Sequence, residues 1–438
     1  MSAWHARCVV LSPKGSLAMK FLFENQSFSF ETLRTAGFAS YGGADLGEIL
    51  VTARAIPDGD ETAWHTEWTR TAERVARIAV QSLEMGHTAS AREAFLRACN
   101  YYRTAERYLR EDPAKDPEVD YLSSRSRETF ASAAVLMGTA VEPVAIPYEG
   151  TTLSGYFFGA DSSNGPRPTV VYSGGFDSTL EESYFAIGAA AMRRGYNVLA
   201  FDGPGQGAAL RDQALHFRHD WEEVLRPVID VAQALPEVAP DRIALVGCGL
   251  GGYFAARAAA FEHRIAALVL HDGVFDYHDV NLRVLPRALA DWVVEGRDDV
   301  ALPMVELLMS HDTGLRQALR NGRWAFGASS FTDYIRRTRQ YSVEGIAESI
   351  GCRTLILDAE NDRVFRGEAQ RVAAGLTCPK KVVTLTEAEG AGEPTHAGAM
   401  ARSHQVTFDW LDETMRERSP AGFRVEMRAL NGALMLTT

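Results

Sequence analysis

Apolar residues recur at steps of three and four through the first third of the chain, from about residue 60 to residue 134. This spacing is typical of amphipathic helices, because it gathers the apolar side chains on one face of each helix. The pattern predicts three helices: residues 60–83, a helix that Thr88 caps with its hydroxyl, and residues 119–134. The sequence therefore predicts a helical N-terminal domain over residues 21–140.

The pattern changes at about Val141. Two alternating runs around Glu149-Gly150 predict a β-hairpin, and short apolar strands then alternate with helices. Such repetition is typical of a doubly wound, mostly parallel α/β sheet, which we assign to residues 141–418. A segment with helical spacing of apolar residues interrupts this alternation at about 277–345, after the sixth core strand. An insertion there is expected to lie over the carboxyl edge of the sheet, where ligands bind in such folds.

The ends of the chain are predicted to lie outside the two domains. The run that begins at Met19 would be a natural start for the protein, and residues 1–20 are interpreted as a disordered extension. Residues 419–438 form a tail of ambiguous character. Residues 1–20 lack the continuous apolar segment of a secretory signal, and no apolar stretch approaches 18 residues.

Composition restricts the partners. A net charge of −12 argues against nucleic acid or an anionic membrane, since both require clustered lysine and arginine. A small-molecule substrate is the better prediction, and a homodimer is an option that the sequence leaves open. The five cysteines are scattered and never in C-x-x-C spacing, which favours a reduced, cytoplasmic protein without disulfides or a zinc site. We predict no cofactor and no metal.

The run from Ile243 to Tyr253 is typical of the strand, sharp turn and helix that carry the nucleophile in a G-x-S-x-G motif. The turn requires small residues on both sides of its apex. Gly247 lies two before and Gly251 two after Gly249, which makes Gly249 the apex and the nucleophile position. An apex at Cys248 would have bulky flanking residues, so Cys248 is a poor nucleophile candidate. Glycine has no atom with which to attack a carbonyl.

Acyl transfer also requires backbone N–H donors for the oxyanion. A glycine pair follows the strand predicted at 168–172, and the N–H of Phe176 is then expected to face a substrate oxygen. The N–H of Leu250 is its predicted partner in an oxyanion hole. We assign Gly175 and Asp177 to substrate binding, with a solvated loop residue as the equal alternative for Asp177.

An acid and a base complete the predicted constellation. The loop after the strand at 353–357 offers Asp358 and Asp362, of which Asp362 has the better offset from the strand end, while Asp272 is an outside alternative. The base is expected in the loop after the last strand, where His396 lies. A plain surface histidine is the alternative for His396.

These motifs, in this order, resemble the α/β-hydrolase superfamily, and in particular the branch of 2,6-dihydroxypseudooxynicotine hydrolase and the fungal polyketide-shortening hydrolases of the yellowish-green pigment type. The resemblance runs from about Phe21 to Arg416 and rests on the elbow and on four further segments, residues 91–103, 174–179, 201–207 and 389–393. It implies an N-terminal helical lid over the site. It also implies cleavage of carbon–carbon bonds in β-diketone-like substrates, or of acyl chains, by a Ser-His-Asp triad.

Carried over by position, the serine of the family falls on Gly249, its acid on Asp362 and its histidine on Pro394, two residues before His396. The favoured hypothesis is an enzyme of secondary metabolism that polarises a carbonyl of a polyketide-like molecule for cyclisation, aldol-type closure, dehydration or carbon–carbon rearrangement. A second is a serine hydrolase with an engineered knock-out at Gly249, which leaves Pro394 unexplained. A third is a non-catalytic binding protein, which has no use for paired oxyanion donors.

Overall fold

The computed structural model describes residues 19–416 except 110 and 162–164, so most of the predicted extension and all of the predicted tail lie outside the described residues. The helices are α1 (Gln26–Gly37), α2 (Leu46–Arg54), α3 (Glu61–Glu84), α4 (Thr88–Glu106), α5 (Pro117–Val135), α6 (Ala189–Met192), α7 (Gly207–Arg211), α8 (Glu222–Ala234), α9 (Leu250–Phe261), α10 (Tyr277–Arg283), α11 (Arg287–Glu295), α12 (Asp298–His311), α13 (Thr313–Ala325), α14 (Phe331–Arg337), α15 (Glu368–Gly375) and α16 (Met400–Arg416). The strands are β1 (Val141–Tyr148), β2 (Thr151–Phe158), β3 (Arg167–Ser173), β4 (Asn197–Phe201), β5 (Val238–Cys248), β6 (Ala267–His271), β7 (Arg353–Ala359) and β8 (Lys380–Leu385).

The eight strands form one sheet in the order β1-β2-β4-β3-β5-β6-β7-β8. Strand β2 runs antiparallel to both of its neighbours, and the pairs from β4 to β8 are parallel. The central strands β4 and β6 are buried along their whole length, as expected where helices cover both faces of a parallel sheet. The predicted doubly wound α/β-hydrolase fold is confirmed.

Each face of the sheet has its own hydrophobic core. Along β5, Ala244 and Val246 pack toward α1–α5 and α16, whereas Ile243 and Leu245 pack toward α8, α9 and the helices α10–α14. Alternate residues of a strand point to opposite faces, so one strand contributes to both cores. The helices α1–α5 are hereafter the cap, and α10–α14, which follow the sixth strand as predicted, are the insertion. Cap and insertion touch where Asn25 Nδ2 donates to Thr313 Oγ1 at 3.1 Å.

The three helices predicted from the spacing of residues 60–134 are observed as α3, α4 and α5, but the predicted cap at Thr88 is wrong. The N-cap residue of α4 is His87, whose side chain makes no capping hydrogen bond. The N–H of His87 bonds to Ser82 O and the N–H of Gly86 to Leu83 O, which is the hydrogen-bond pattern of a Schellman motif. Because this motif closes α3 at His87, the chain enters α4 at Thr88 without a separate capping residue. Among the described residues, no helix is both long enough and apolar enough to cross a membrane.

A buried carboxylate after β4 gives the fold a pH dependence. Asp202 is 3% exposed, and burial and the nearby Glu181 raise its pKa to about 8. An acid whose folded pKa is raised contributes stability that is fully present below its unfolded pKa and is lost as pH rises through the folded pKa. Because an aspartate of the unfolded chain ionises at about pH 4, the melting temperature is expected to fall between about pH 4 and pH 8, and Asp202→Asn is expected to flatten this slope.

The prediction is checked by scanning calorimetry across that pH range. Asp112→Asn, at an exposed carboxylate, is the control and should keep the wild-type slope. Equal slopes for Asp202→Asn and the wild type would show that Asp202 ionises normally in the folded protein.

Candidate active site

The turn between β5 and α9 has the geometry of a nucleophile elbow. Gly249 lies at its apex with φ 60° and ψ −124°, a conformation that side chains with a Cβ rarely adopt. The neighbouring positions must be glycine, because a Cβ there would collide with backbone atoms. A Cβ on Gly247 would lie 2.1 Å from Gly251 O, and one on Gly251 would lie 2.4 Å from Ser173 O. A Cβ on Gly252 would lie 2.2 Å from the main-chain oxygen of the residue after β6.

The apex itself has room for a side chain. The atoms nearest to a Cβ on Gly249 would be Thr395 Cγ2 at 3.7 Å and Phe365 Cε2 at 3.9 Å, which are ordinary van der Waals distances. The N–H of Gly249 bonds to His271 O at 2.9 Å, which fixes the apex against β6. The space above the apex would thus accept a small side chain, whereas the positive φ of Gly249 would strain its backbone.

A cavity of about 220 Å³ lies above the elbow, between the cap and the sheet. Gly249 and Leu250 line it from the elbow, and Gly175, Phe176 and Asp177 line it from the loop after β3. Helix α1 of the cap contributes Phe30 and Arg34, and Phe38 follows directly after this helix. Five of the seven residues assigned from sequence therefore surround one cavity, whereas Asp362 and His396 are not among the described residues that line it.

The loop after β3 lies directly against the elbow. A Cβ on Gly175 would be 2.6 Å from Cys248 O and 3.5 Å from Leu250 N, so only glycine permits this approach. The N–H of Gly175 is bonded to Ser178 Oγ at 2.7 Å. Leu250 is the first residue of α9, and its N–H has no acceptor within the helix. The N–H groups of Phe176 and Leu250 are therefore the donors that this arrangement can offer to an oxygen in the cavity.

Side chains from two other regions hold this loop in place. Gln206 Nε2 donates to Gly174 O at 2.6 Å and to Gly175 O at 3.0 Å. Asn321 Nδ2, from α13 of the insertion, donates to Phe176 O at 3.1 Å. Donors fixed in advance of substrate binding lose little free energy to reorganisation when charge develops on a substrate oxygen.

Asp177 is bound by the cap and is not a solvated loop residue. Its carboxylate pairs with Arg34 Nη1 at 3.1 Å and with Arg107 Nη1. Arg107 also pairs with Glu31 at 2.8 Å. Arg34 donates from Nε and Nη2 to both oxygens of Glu182, at 2.8 and 2.7 Å. Burial alone would raise the pKa of Glu182, but Arg34 and Arg103 hold it below its usual value.

The carboxylates of Asp362, Asp272 and Asp358 all accept hydrogen bonds from groups of the protein itself. Asp362 is 2% exposed and accepts the N–H groups of Val364 and Phe365 at 2.7 and 2.8 Å. Burial raises its pKa to about 6, although these hydrogen bonds oppose the shift. Asp272 accepts the N–H of Thr395 at 2.9 Å, and burial and Asp362 raise its pKa. Asp358 accepts a hydrogen bond from Gln370 Nε2 at 2.7 Å.

The histidine loop brings other residues to the cavity. Pro394 and Thr395 line it, and His396 is fully buried. The Nδ1 atom of His396 lies 3.2 Å from Ala391 O, while its Nε2 has no partner in the described part of the protein. Burial lowers the pKa of His396 to about 4. Of the described hydrogen bonds, none joins Asp362 to His396, so the two do not form the acid and base pair of a triad in this structure.

One cavity residue that can take part in proton transfer was not identified from the sequence. His271 ends β6, and its side chain lines the cavity. Its Nε2 lies 2.9 Å from Thr407 Oγ1. The signal was available, because His271 directly follows an apolar run at 266–270 that is typical of a buried strand, and the carboxyl ends of parallel strands form the ligand edge of such sheets.

Comparisons with known proteins identify the family of the chain. Residues 170–409 match the alpha/beta hydrolase family, and residues 56–280 match a family described as esterase FrsA-like. The chain is 34% identical over 419 residues to hydrolase LUC6 of Fusarium sp, covering 90% of this chain and 98% of that protein. It is 34% identical over 418 residues to 20-hydroxy-prefusarin hydrolase FUS2 of Gibberella moniliformis, with the same shares covered.

Among solved structures, the 2,6-dihydroxy-pseudo-oxynicotine hydrolase is similar in fold, with a TM-score of 0.70, 21% identity, and coverage of 87% of this chain and 96% of that one. Its breadth of coverage shows that the cap as well as the sheet has this architecture. With an elbow, a glycine-rich loop against it and matches along most of its length to proteins named as hydrolases, the chain belongs to the alpha/beta hydrolase family.

Proposed function

We propose that this protein is an enzyme that binds a polyketide-like small molecule and polarises one of its carbonyl groups for non-hydrolytic chemistry. The observation that carries this proposal is the loop after β3, which packs tightly against an elbow whose apex, Gly249, bears no side chain. The fungal relatives are named as hydrolases, one of them of 20-hydroxy-prefusarin, which supports a related class of substrate. The net charge of −12 supports a small molecule over nucleic acid.

In this proposal the N–H groups of Phe176 and Leu250 donate to the substrate carbonyl oxygen. The donors stabilise negative charge on that oxygen, and a single such donor contributes about 10²–10³ in rate in well-studied hydrolases. No acyl-enzyme forms, because Gly249 has no nucleophilic atom. Loss of an α proton instead gives an enolate, which can close onto a second carbonyl of the same molecule or expel a β-hydroxyl as water.

The cap is proposed to act as the lid of this site. Phe30 and Phe38 supply apolar surface to the cavity, and Arg34 joins the cap to the loop that holds the oxyanion donors. Excluding water from the cavity strengthens the hydrogen bonds to a developing enolate.

The test uses 1-phenylbutane-1,3-dione, a β-diketone whose terminal methyl protons exchange slowly without a catalyst. In D2O the wild-type enzyme is expected to accelerate deuteration of that methyl group, followed by NMR. It is also expected to resist labelling by a fluorophosphonate probe. Cleavage of the diketone into a carboxylic acid and a ketone by the wild-type enzyme would contradict the proposal.

A serine hydrolase that has lost its serine is the second candidate, favoured by the room at the apex. In that case Gly249→Ser alone should restore labelling by a fluorophosphonate and cleavage of the diketone. We expect neither, because the acid and base of a triad are not assembled at this elbow: His396 is not among the described residues that line the cavity, and none of the described hydrogen bonds joins it to Asp362. The variant is expected to fold with a cost of about 1–3 kcal/mol, owing to the positive φ.

Gln206→Leu tests the support of the loop after β3. The substitution removes both hydrogen bonds to the carbonyls of Gly174 and Gly175, so the loop is held less firmly against the elbow. The rate of methyl deuteration is expected to fall about tenfold, which corresponds to about 1.4 kcal/mol. Gln213→Leu, at a half-buried glutamine that bonds Thr151 and Thr152 and does not line the cavity, is the matched control and should leave the rate unchanged. An unaltered rate in Gln206→Leu would show that the loop needs no such support.

A further inference from the structure

His271 lines the cavity beside the elbow. In the pairing of β5 with β6, His271 is the register partner of Cys248, the residue before the apex. Register partners in parallel strands point to the same face of the sheet. Both side chains line the cavity, and the main-chain oxygen of His271 accepts the N–H of Gly249. The imidazole is therefore fixed on the strand beside the elbow apex.

A hydrogen bond with helix α16 orients the imidazole ring of His271. Its Nε2 lies 2.9 Å from the hydroxyl of Thr407, which is fully buried. A ring held through Nε2 leaves Nδ1 as the nitrogen available to a molecule in the cavity. Burial and the neighbouring His396 and His404 lower the pKa of His271 well below its usual value. The imidazole is thus uncharged near neutral pH, which is the form that can accept a proton.

We propose that His271 is the proton-transferring residue of this site and takes the place of the triad histidine. The inference rests on the proposed function, because it assumes a carbonyl oxygen bound by the N–H groups of Phe176 and Leu250. His396, the sequence candidate, is not among the described residues that line the cavity, whereas His271 is.

The chemistry of the step is a reversible enolisation. Nδ1 of His271 takes a proton from the carbon next to the bound carbonyl, and the electron pair of that C–H bond moves into the enolate. In a ring closure the enolate carbon bonds to a second carbonyl carbon of the same molecule. The resulting alkoxide recovers the proton from the imidazolium. No oxidant, reductant or second substrate is required, and the enzyme is returned to its starting state.

The test compares histidine variants in the deuteration of 1-phenylbutane-1,3-dione. His271→Gln is expected to lower the enzyme-dependent rate by about 10²–10⁴, the usual contribution of a general base. His278→Gln is the matched control, since this half-buried histidine of the insertion bonds Ile335 O and the hydroxyl of Thr338 and does not line the cavity, and its rate should stay near that of the wild type. Melting temperatures verify that each variant is folded.

A second variant separates catalysis from structure. His271→Ala leaves a space beside the elbow, and added imidazole is expected to restore part of the deuteration rate. Retention of the wild-type rate in His271→Gln would overturn the proposal, as would a folded His271→Ala variant that imidazole does not rescue. Loss of exchange in His396→Gln but not in His271→Gln would assign the proton transfer to His396. Failure of the proposed function is distinct, because it would appear as diketone cleavage by the wild type.

Discussion

Gly175→Ala is expected to lower the rate of methyl deuteration by about 10²–10³, the loss seen when one oxyanion donor is removed. The added methyl group would lie 2.6 Å from Cys248 O, much closer than carbon and oxygen tolerate, and the elbow cannot give way because its own glycines are in contact with backbone. The loop after β3 must therefore move outward, carrying the N–H of Phe176 away from that of Leu250. NMR in D2O gives the rate directly.

Gly138→Ala serves as its control, because a Cβ there meets no atom within 4 Å. That variant should retain both the wild-type rate and the wild-type melting temperature. If Gly175→Ala is folded and exchanges protons at the wild-type rate, the paired donors are not the source of carbonyl polarisation.

Arg34→Met is expected to destabilise the folded protein by about 3–5 kcal/mol, the typical result of removing one partner from a buried ion pair. The arginine binds Glu182 with two hydrogen bonds and also pairs with Asp177, and all three side chains are largely buried. Methionine keeps the apolar volume but leaves the carboxylates without their main counter-charge. Urea denaturation measures the change in unfolding free energy.

Arg70→Met is the matched substitution at an exposed ion pair with Glu67, and about 0–1 kcal/mol is expected there. A loss in Arg34→Met no larger than in Arg70→Met would mean that the arginine network does not hold the cap to the core. Asp177 would then again be a candidate for direct contact with substrate.

The sequence predicted those parts of the molecule that depend on short-range patterns. Apolar periodicity located the cap helices α3–α5 and the strands of the sheet, and glycine spacing located the elbow at Gly249. The glycine pair after β3 predicted Gly175 beside the cavity, since a strand end followed by small residues is a local signal. These features follow from nearest-neighbour sterics and the periods of helix and strand.

The features that the sequence did not predict depend on contacts between segments that are distant in the chain. Asp177 was left open between solvent and substrate, whereas it pairs with Arg34 and Arg107, which are 143 and 70 residues away in sequence. His396 was expected in the site from its loop alone, but positive φ values at Thr395 and His396 turn the backbone so that Thr395 lines the cavity. The histidine that does line it, His271, ends a strand and had no motif around it.

The central claim is that this site polarises a carbonyl without hydrolysis. The most direct test is one incubation of the wild-type enzyme with 1-phenylbutane-1,3-dione in D2O enriched in oxygen-18, analysed by mass spectrometry. We predict enzyme-dependent deuteration of the terminal methyl group and no carboxylic acid that carries oxygen-18. Benzoate or acetate containing one oxygen-18 atom would contradict the account, because only hydrolysis of the carbon–carbon bond places solvent oxygen in a carboxylate.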